Sequence, residues 1–228
     1  KSAEGLLENR MMVFPREDAE LIDTWQVAGL AGTGSGDIAV NDIYVPKDRS
    51  VALSTDKPVS DSPLYTFPVF GLLALGVCAV ALGNARGALN SFIDLALVKK
   101  NQGSLKTLAE RQIIQSEYAK MEAAWRSARA YLMDEIDQTW AVAQSTGAIP
   151  LERRAALRLA CTNMTRTSAD VTRTAYDLGG GAALFLKSDL QRRFRDAHGA
   201  TQHIVTAPAT YELLGRLGLG LPTDASTL

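Results

Sequence analysis

The stretch "TFPVFGLLALGVCAVALG", Thr66 to Gly83, contains no charged side chain and is about long enough to cross a bilayer. Two readings compete for it: a membrane span, or a helix surrounded by other helices. The stretch holds three glycines and runs directly into "NARGALNSFIDLALVKK" (Asn84 to Lys100), which keeps a helical period. It has no aromatic belt and no second span to pair with. A helix at the centre of a bundle is apolar all round for the same reason as a span. The sequence is read here as a buried first helix over roughly 67–99, and that reading sets the fold.

Downstream, helical patterning continues in segments long enough to pack on the first. "NQGS" breaks the first helix, and a second is expected from about Lys106 to Gln144. Its apolar positions Ile113, Tyr118, Met121, Trp125, Ala128, Leu132 and Ile136 recur at intervals of three to five. "STGAIP" closes it and sets Pro150 at the first turn of a third helix reaching Leu178. "GGGAAL" interrupts, a fourth helix follows from about Ser188 to His203, and a short last helix begins at Pro208. Long helices joined by short loops predict a mainly α fold, an antiparallel up-and-down four-helix bundle.

Upstream, the period changes. Residues 1–55 are rich in β-branched and aromatic residues punctuated by Gly, Pro and Asp, as in "RMMVFPRE", "AELIDTWQVAG" and "GDIAVNDIYVPKD". These predict a short antiparallel β segment, with "DIAVNDIYVP" as a half-buried strand ended by Pro46. Residues 56–64 are a polar, proline-containing linker, and 65–228 form the bundle. The opening "KSAEGLLENRMMVFPRED" has no start methionine and enters strand-like sequence at once, so it reads as a chain missing its beginning.

Composition narrows the class. The 24 basic and 25 acidic residues leave a net charge of −1, which lacks the concentrated basic surface that nucleic acid requires. Hydrophobic residues at 46% suffice for a core. The two cysteines, Cys78 and Cys161, both fall in apolar helical pattern and are expected as core thiols rather than a disulfide. No secretory signal precedes the first structured stretch, which makes the cytoplasm the default.

Three motifs could carry chemistry. "GLAGTGSGD" (Gly29 to Asp37) fails as a dinucleotide loop, because Asp37 stands where a glycine is needed and a strand follows where a helix should. It is either a cluster of turns or a loop whose hydroxyls, Thr33 and Ser35, line a ligand pocket. "DLGGGAAL" (Asp177 to Leu184) has more glycines than one helix cap requires, which suggests close approach of a ligand or a second backbone. His198 and His203 are the only histidines. Five residues apart on a helix, they would diverge by about 140° and could not share a metal. His198, in the charged run "RRFRDAH", reads as solvated or ion-paired. His203, at a helix end beside small residues, is either structural or a general base.

Taken in order, "DTWQVAGLAGTGSGDIAVNDIYVPKDRSV" (Asp23 to Val51), the Gly-rich turn and "LQRRFRDA" (Leu190 to Ala197) resemble the acyl-CoA dehydrogenase superfamily. The resemblance covers essentially the whole chain. It implies a flavoprotein whose last domain is a four-helix bundle of acyl-CoA dehydrogenase type, with residues 1–55 as the close of its middle β-domain. It also implies that the N-terminal domain and part of the β-domain are absent here. Trp25, Thr33, Ser35, Gly179, Gly180 and Gly181 would then contact FAD or FMN. In this family the bundles pair into tetramers, so a homotetramer or dimer is implied, and the glycines would face the flavin of a neighbouring subunit.

The departures select a branch. Dehydrogenases of the family typically follow the "RDA" with Tyr-Glu-Gly-Thr, and the same interval from Arg195 falls here on His203 and Ile204, so the catalytic glutamate is missing. The Tyr-Glu pair of "TYELLG" lies eight residues later, making Glu212 a decoy. "RDAHGATQHIVTAPATYELLGR" (Arg195 to Arg216) instead resembles the flavin-dependent monooxygenase branch, the two-component hydroxylases. That likeness implies His203 beside the flavin, His198 supporting it, and reduced flavin delivered by a separate flavin reductase. It further implies hydroxylation of an aromatic or polycyclic substrate through a flavin C4a-hydroperoxide. The alternative is an acyl-CoA dehydrogenase-like enzyme passing a hydride from a thioester to FAD. "KKNQG" (Lys99 to Gly103) stands where the family has Arg-x-x-Phe-Gly, a departure that bears on the adenine half of the cofactor and leaves room for FMN.

Overall fold

The structure, a computed structural model, describes residues 9–53 and 55–228; the opening "KSAEGLLE" lies outside the described residues. Five α-helices carry the fold: α1 (Val69–Val98), α2 (Gln112–Thr146), α3 (Leu151–Gly179), α4 (Asp189–Ala200) and α5 (Ala209–Gly218). Ahead of them stand four short strands, β1 (Met11–Met12), β2 (Glu20–Ile22), β3 (Asp37–Ala39) and β4 (Ser50–Val51). The bundle predicted from the periodicity is therefore present, with the β segment before it.

The decisive helix is α1. Its buried residues are Gly71, Ala74, Cys78, Ala81, Ala85, Ala88, Leu89, Phe92 and Ala96, a stripe recurring every three or four positions. Most are small, so α3 approaches closely along its length, and α1 packs on α3 more than on any other element. Alanines give the contact little apolar area. The larger gains come near its C-terminal end, where Phe92 and Leu89 are fully buried, each contributing about 1.5–3 kcal/mol.

Three clusters fill the bundle from end to end. One joins Phe92 and Ala96 of α1 to Met121 of α2, Val171 and Ala175 of α3 and Leu190 of α4. The middle one holds Cys78, Leu132, Cys161, Met164 and Val205, and the third joins Phe67 and Ala143 to Ile149 and Leu157. Consecutive long helices thus run antiparallel. Both cysteines are free and fully buried; they face each other across the α1–α3 contact, where the hydrogen bond the Cys161 S–H makes to Cys78 and then burial push the Cys161 thiol far up.

Several boundaries differ from the periodicity. α2 starts at Gln112 rather than near Lys106, because 99–111 is folded as a loop of its own, with Leu108 N–H on the Lys99 carbonyl (2.8 Å) and Ala109 N–H on that of Ala96 (2.9 Å). On the first turn of α2, Ile113 is exposed and Ile114 enters the core. α4 ends at Ala200, so His203 lies beyond it. Residues 201–206 instead form turns held by Thr206, whose N–H binds the His203 carbonyl (2.9 Å) and whose hydroxyl binds that of Ala200 (3.2 Å).

The β segment makes two separate antiparallel pairs, β1 with β4 (Met11 opposite Val51) and β2 with β3 (Leu21 opposite Ile38). The strand expected over "DIAVNDIYVP" survives only as Asp37–Ala39. Asp42 sits at φ 47°, a left-handed conformation that interrupts an extended chain. Met11, Leu21, Ile22, Ile38 and Val51 are all exposed, so the strands enclose no core of their own.

Candidate functional site

Helix α4 organises the candidate residues, and its amphipathic sequence gives each face a different neighbour. Leu190, Ala197 and Ala200 are buried in the bundle. Arg193 lies against α1, where its carbonyl accepts from the Asn84 side-chain amide (2.8 Å) and its guanidinium fills the space a Cβ on Gly87 would need.

A third face receives the glycine-rich loop. The Asp196 carboxylate accepts the Leu30 N–H at 2.7 Å, and a Cβ on Gly29 would overlap the Arg195 carbonyl, so only glycine allows this approach. The indole N–H of Trp25 closes the loop from behind on the Leu30 carbonyl (3.1 Å). Thr33 and Ser35 lie on its outer side, exposed and bonded to each other through their hydroxyls at 2.9 Å. Of the two readings left open for this loop, it is in part a set of turns, with Leu30 and Gly34 both at positive φ. It also borders a cleft of about 370 Å³ closed on the other side by Arg192, Arg195 and Asp196.

The fourth face of α4 carries His198, two residues and so about 200° from Asp196. His198 is half-buried and makes no ion pair with any described residue. Its ring packs edge-on against Phe194 (centroids 4.5 Å apart), which stacks on Tyr176 of α3 at 4.7 Å. Its Nε2 is shielded from solvent and has no hydrogen-bond partner among the described residues. Burial, then the charges of Arg173 and Arg166, hold its pKa below the ordinary histidine value, against a smaller opposite pull from Asp170.

His203, past the end of the helix, is exposed. Its Nδ1 accepts the Val205 N–H at 3.3 Å, which assigns the proton of the neutral ring to Nε2 and turns that N–H outward. Ile204 beside it is exposed, and Glu212 is an exposed residue in the first turn of α5.

The glycine turn lies at the opposite end of α4. Gly179 is explained within the chain, since a Cβ there would press on Leu190 and Ala183. Gly180, at φ 52°, terminates α3, and at Gly181 a Cβ would meet nothing within 4 Å. The Lys99 ammonium donates to the Gly179 carbonyl, which brings "KKNQG" to the same end of the bundle. Since α4 spans twelve residues, roughly 18 Å of helix axis separates this turn from His203. The six candidate cofactor contacts and two histidines therefore do not gather at one place.

Comparison with known proteins places these features in a family. The model of the acyl-CoA dehydrogenase C-terminal domain matches residues 75–208, from α1 through the end of the turn that carries His203. The chain belongs to this family. It is 33% identical over 211 residues to an indole-3-acetate monooxygenase of Pseudomonas putida, which covers 92% of the chain and 54% of that protein. It is 26% identical over 224 residues to the oxygenase subunit HsaA, a flavin-dependent monooxygenase of Mycobacterium tuberculosis, covering 92% of the chain and 56% of that protein. Among solved structures, XiaF from Streptomyces sp., in complex with FADH2 and glycerol, superposes with a TM-score of 0.84 at 21% identity over 97% of the chain and 58% of its own. The chain thus spans about half the length of the curated relatives it matches.

Proposed function

We propose that the chain is the bundle-containing part of the oxygenase component of a two-component flavin-dependent monooxygenase that hydroxylates an aromatic compound. The observation that carries this reading is the α4–α5 corner. Where the dehydrogenase resemblance calls for a tyrosine followed by a carboxylate base, the chain has His203 followed by Ile204, with the histidine's Nδ1 tied to Val205 and its Nε2–H turned outward. A ring so held donates a hydrogen bond to an oxygen; it does not remove an α-proton from a thioester. The two curated relatives named above, each matched over 92% of the chain, are monooxygenases, and the indole-3-acetate of one of them is the first compound to test.

The residues fit a flavin at two places. The bare backbone of Gly180 and Gly181, next to the Lys99 ammonium, can lie against phosphate or ribose, and it belongs to the neighbouring subunit's cofactor because His203 is a helix length away. The Thr33 and Ser35 hydroxyls, bonded among the described residues only to each other and to the Leu30 carbonyl, can turn to a ring edge, with Trp25 behind them. The flavin, FAD or FMN, supplies the reducing equivalents that activate dioxygen. The protein's part is to hold the substrate hydroxyl or the incoming oxygen on His203 Nε2 and to exclude water, with the half-buried His198 as a support behind the helix end.

The wider arrangement follows from the same reading. Residues 1–55 are the C-terminal part of a β-domain, 56–64 is a linker, and 65–228 is the bundle. The exposed run Leu184, Phe185 and Leu186 beside the glycine turn supports a homotetramer or dimer that brings a second flavin there. A flavin reductase is the electron donor, and the compartment is the cytoplasm. Although α1 is long and apolar enough to span a membrane, its stripe against α3 supports a bundle helix, and no role with membrane or nucleic acid is assigned.

The test uses the full-length protein supplied with reduced flavin and ¹⁸O₂. One labelled oxygen in a hydroxylated aromatic product is expected. Bleaching of bound oxidised flavin by an acyl-CoA without need of oxygen would overturn the reading.

A further inference from the structure

A cavity of about 490 Å³ lies between the β segment and the N-terminal ends of α1 and α3, within the size of small-molecule sites, roughly 300–1,000 Å³. Nothing in the reaction proposed above uses it. Met11 of β1, Leu53 just past β4, and Phe70 and Leu73 of α1 line it, and all four are exposed. Large apolar side chains left in water and gathered on one space mark a binding surface, unlike the same residues scattered singly. The rest of the wall differs. It includes Arg154 of α3 and, from the segment after α5, Ser226 and Leu228.

Arg154 is held but not neutralised. Its Nη1 donates to the Leu228 carbonyl at 3.2 Å, and one turn along α3 the buried Arg158 donates to the Thr227 carbonyl at 2.8 Å. The Nε of each is out of contact with solvent and has no hydrogen-bond partner among the described residues. Neither forms an ion pair with an Asp or Glu side chain among the described residues. The other arginine of the cavity wall, Arg10, is paired with Asp56 at 3.0 Å. Two guanidinium groups withdrawn from water with carbonyl partners leave this corner positive. The group that matches a guanidinium fork is a carboxylate, so the cavity is apolar on one side and asks for an anion on the other.

We propose that this cavity binds a small aromatic carboxylic acid, its ring among Phe70, Leu73 and Met11 and its carboxylate on Arg154. Leu73 directly precedes Ala74, which with Cys78 packs in the cluster that holds Val205, two residues past His203. The cavity therefore opens beside the same stretch of α1 that supports the His203 turn. The inference rests on the monooxygenase reading for the aromatic nature of the ligand, but not for its charge.

Binding is measured by calorimetry on the full-length protein without turnover, using indole-3-acetate and its neutral isostere indole-3-acetamide. The wild type is compared with Arg154→Gln, Arg154→Lys and Leu73→Trp. The wild type is expected to prefer the acid. Arg154→Gln should weaken the acid by about 10- to 100-fold, the worth of a charge-assisted pair, with the amide changed by less than about threefold. Arg154→Lys, which keeps the charge without the fork, should fall between. Leu73→Trp fills the apolar side and should weaken both ligands together. Absence of binding in the wild type, or binding without preference for the acid, overturns the proposal, as does a Leu73→Trp protein that binds both ligands as the wild type does. A lower urea midpoint in Arg154→Gln with the acid-to-amide ratio unchanged would assign Arg154 to holding the Leu228 carbonyl alone and also overturn it. Failure of the monooxygenase reading shows separately, as acid preference without ¹⁸O incorporation.

Discussion

The Asp196 carboxylate holds the Leu30 backbone N–H at 2.7 Å across 166 residues of sequence. This bond ties the loop that follows Trp25 to the helix that carries His198. Replacing Asp196 with Ala leaves a part-buried N–H without an acceptor and should cost about 1–3 kcal/mol. Asp196→Asn, which keeps a carbonyl oxygen in place, should cost less. The midpoint of urea unfolding reads both, and the Trp25 emission should shift toward the solvent value in the alanine variant before the bundle melts.

Glycine substitutions in the same loop should separate sharply by position. At Gly29 a Cβ would collide with the Arg195 backbone carbonyl, whereas at Gly32 it would meet nothing within 4 Å. Gly29→Ala must therefore push the loop off α4, at about 1–3 kcal/mol, and Gly32→Ala should stay within about 0.5 kcal/mol of wild type. Equal effects in chemical denaturation would contradict the close approach.

The buried thiols give a probe of the bundle interior. Cys78 and Cys161 are fully buried, and the Cys161 thiol is pushed up by its contact with Cys78 and by burial, which suppresses the reactive thiolate. Neither should react with Ellman's reagent in the native protein at pH 8, and both should react in urea. The labelling rate should follow unfolding of the α1–α3 contact.

His198 should make stability depend on pH in one direction. Its folded pKa lies below its unfolded value of about 6.5, from burial first and then Arg173 and Arg166. Between the two values the unfolded chain binds the extra proton, so stability is lost as pH falls below about 6.5 and is recovered above it. His198→Phe should flatten that part of the urea midpoint profile between pH 5 and 7.5 while keeping the ring contact with Phe194. A profile that keeps its slope would remove His198 as the source.

Much of this was legible in the residues, and what was not has identifiable causes. The small-residue stripe of α1 announces a close helix partner, because alanine and cysteine recur at the period of one helix face. The end of α4 was not legible: "AHGATQH" continues the helical pattern in composition, and only the Thr206 side chain and the turn bonds to Ala200 and His203 stop it. The environment of His198 was hidden by its neighbours, since a run of arginines suggests solvent and the ring instead turns to Tyr176 and Phe194. Asp196 was visible within "RDA", but its partner is 166 residues away and no local pattern marks it.

The last prediction concerns the tautomer of His203. With Nδ1 accepting from Val205 N–H at 3.3 Å, the outward nitrogen is a donor, and substitutions that imitate one nitrogen or the other should differ. A Gln amide nitrogen reaches roughly where Nε2 stands, whereas Asn reaches only the Nδ1 position, where its Oδ1 can accept the Val205 N–H but nothing donates where Nε2 stood. His203→Gln should therefore retain more hydroxylation than His203→Asn or His203→Ala. The alanine variant should lose about 10²-fold or more in kcat/KM, as expected for a group that positions or transfers a proton. Because the ring is exposed, all three should unfold within about 0.5 kcal/mol of wild type, so that a loss of activity is not a loss of fold. If Asn equals or exceeds Gln, the outward nitrogen is not the working donor. In that case hydroxylation should be followed against pH, where a base would show its activity rising with deprotonation and a neutral donor would not.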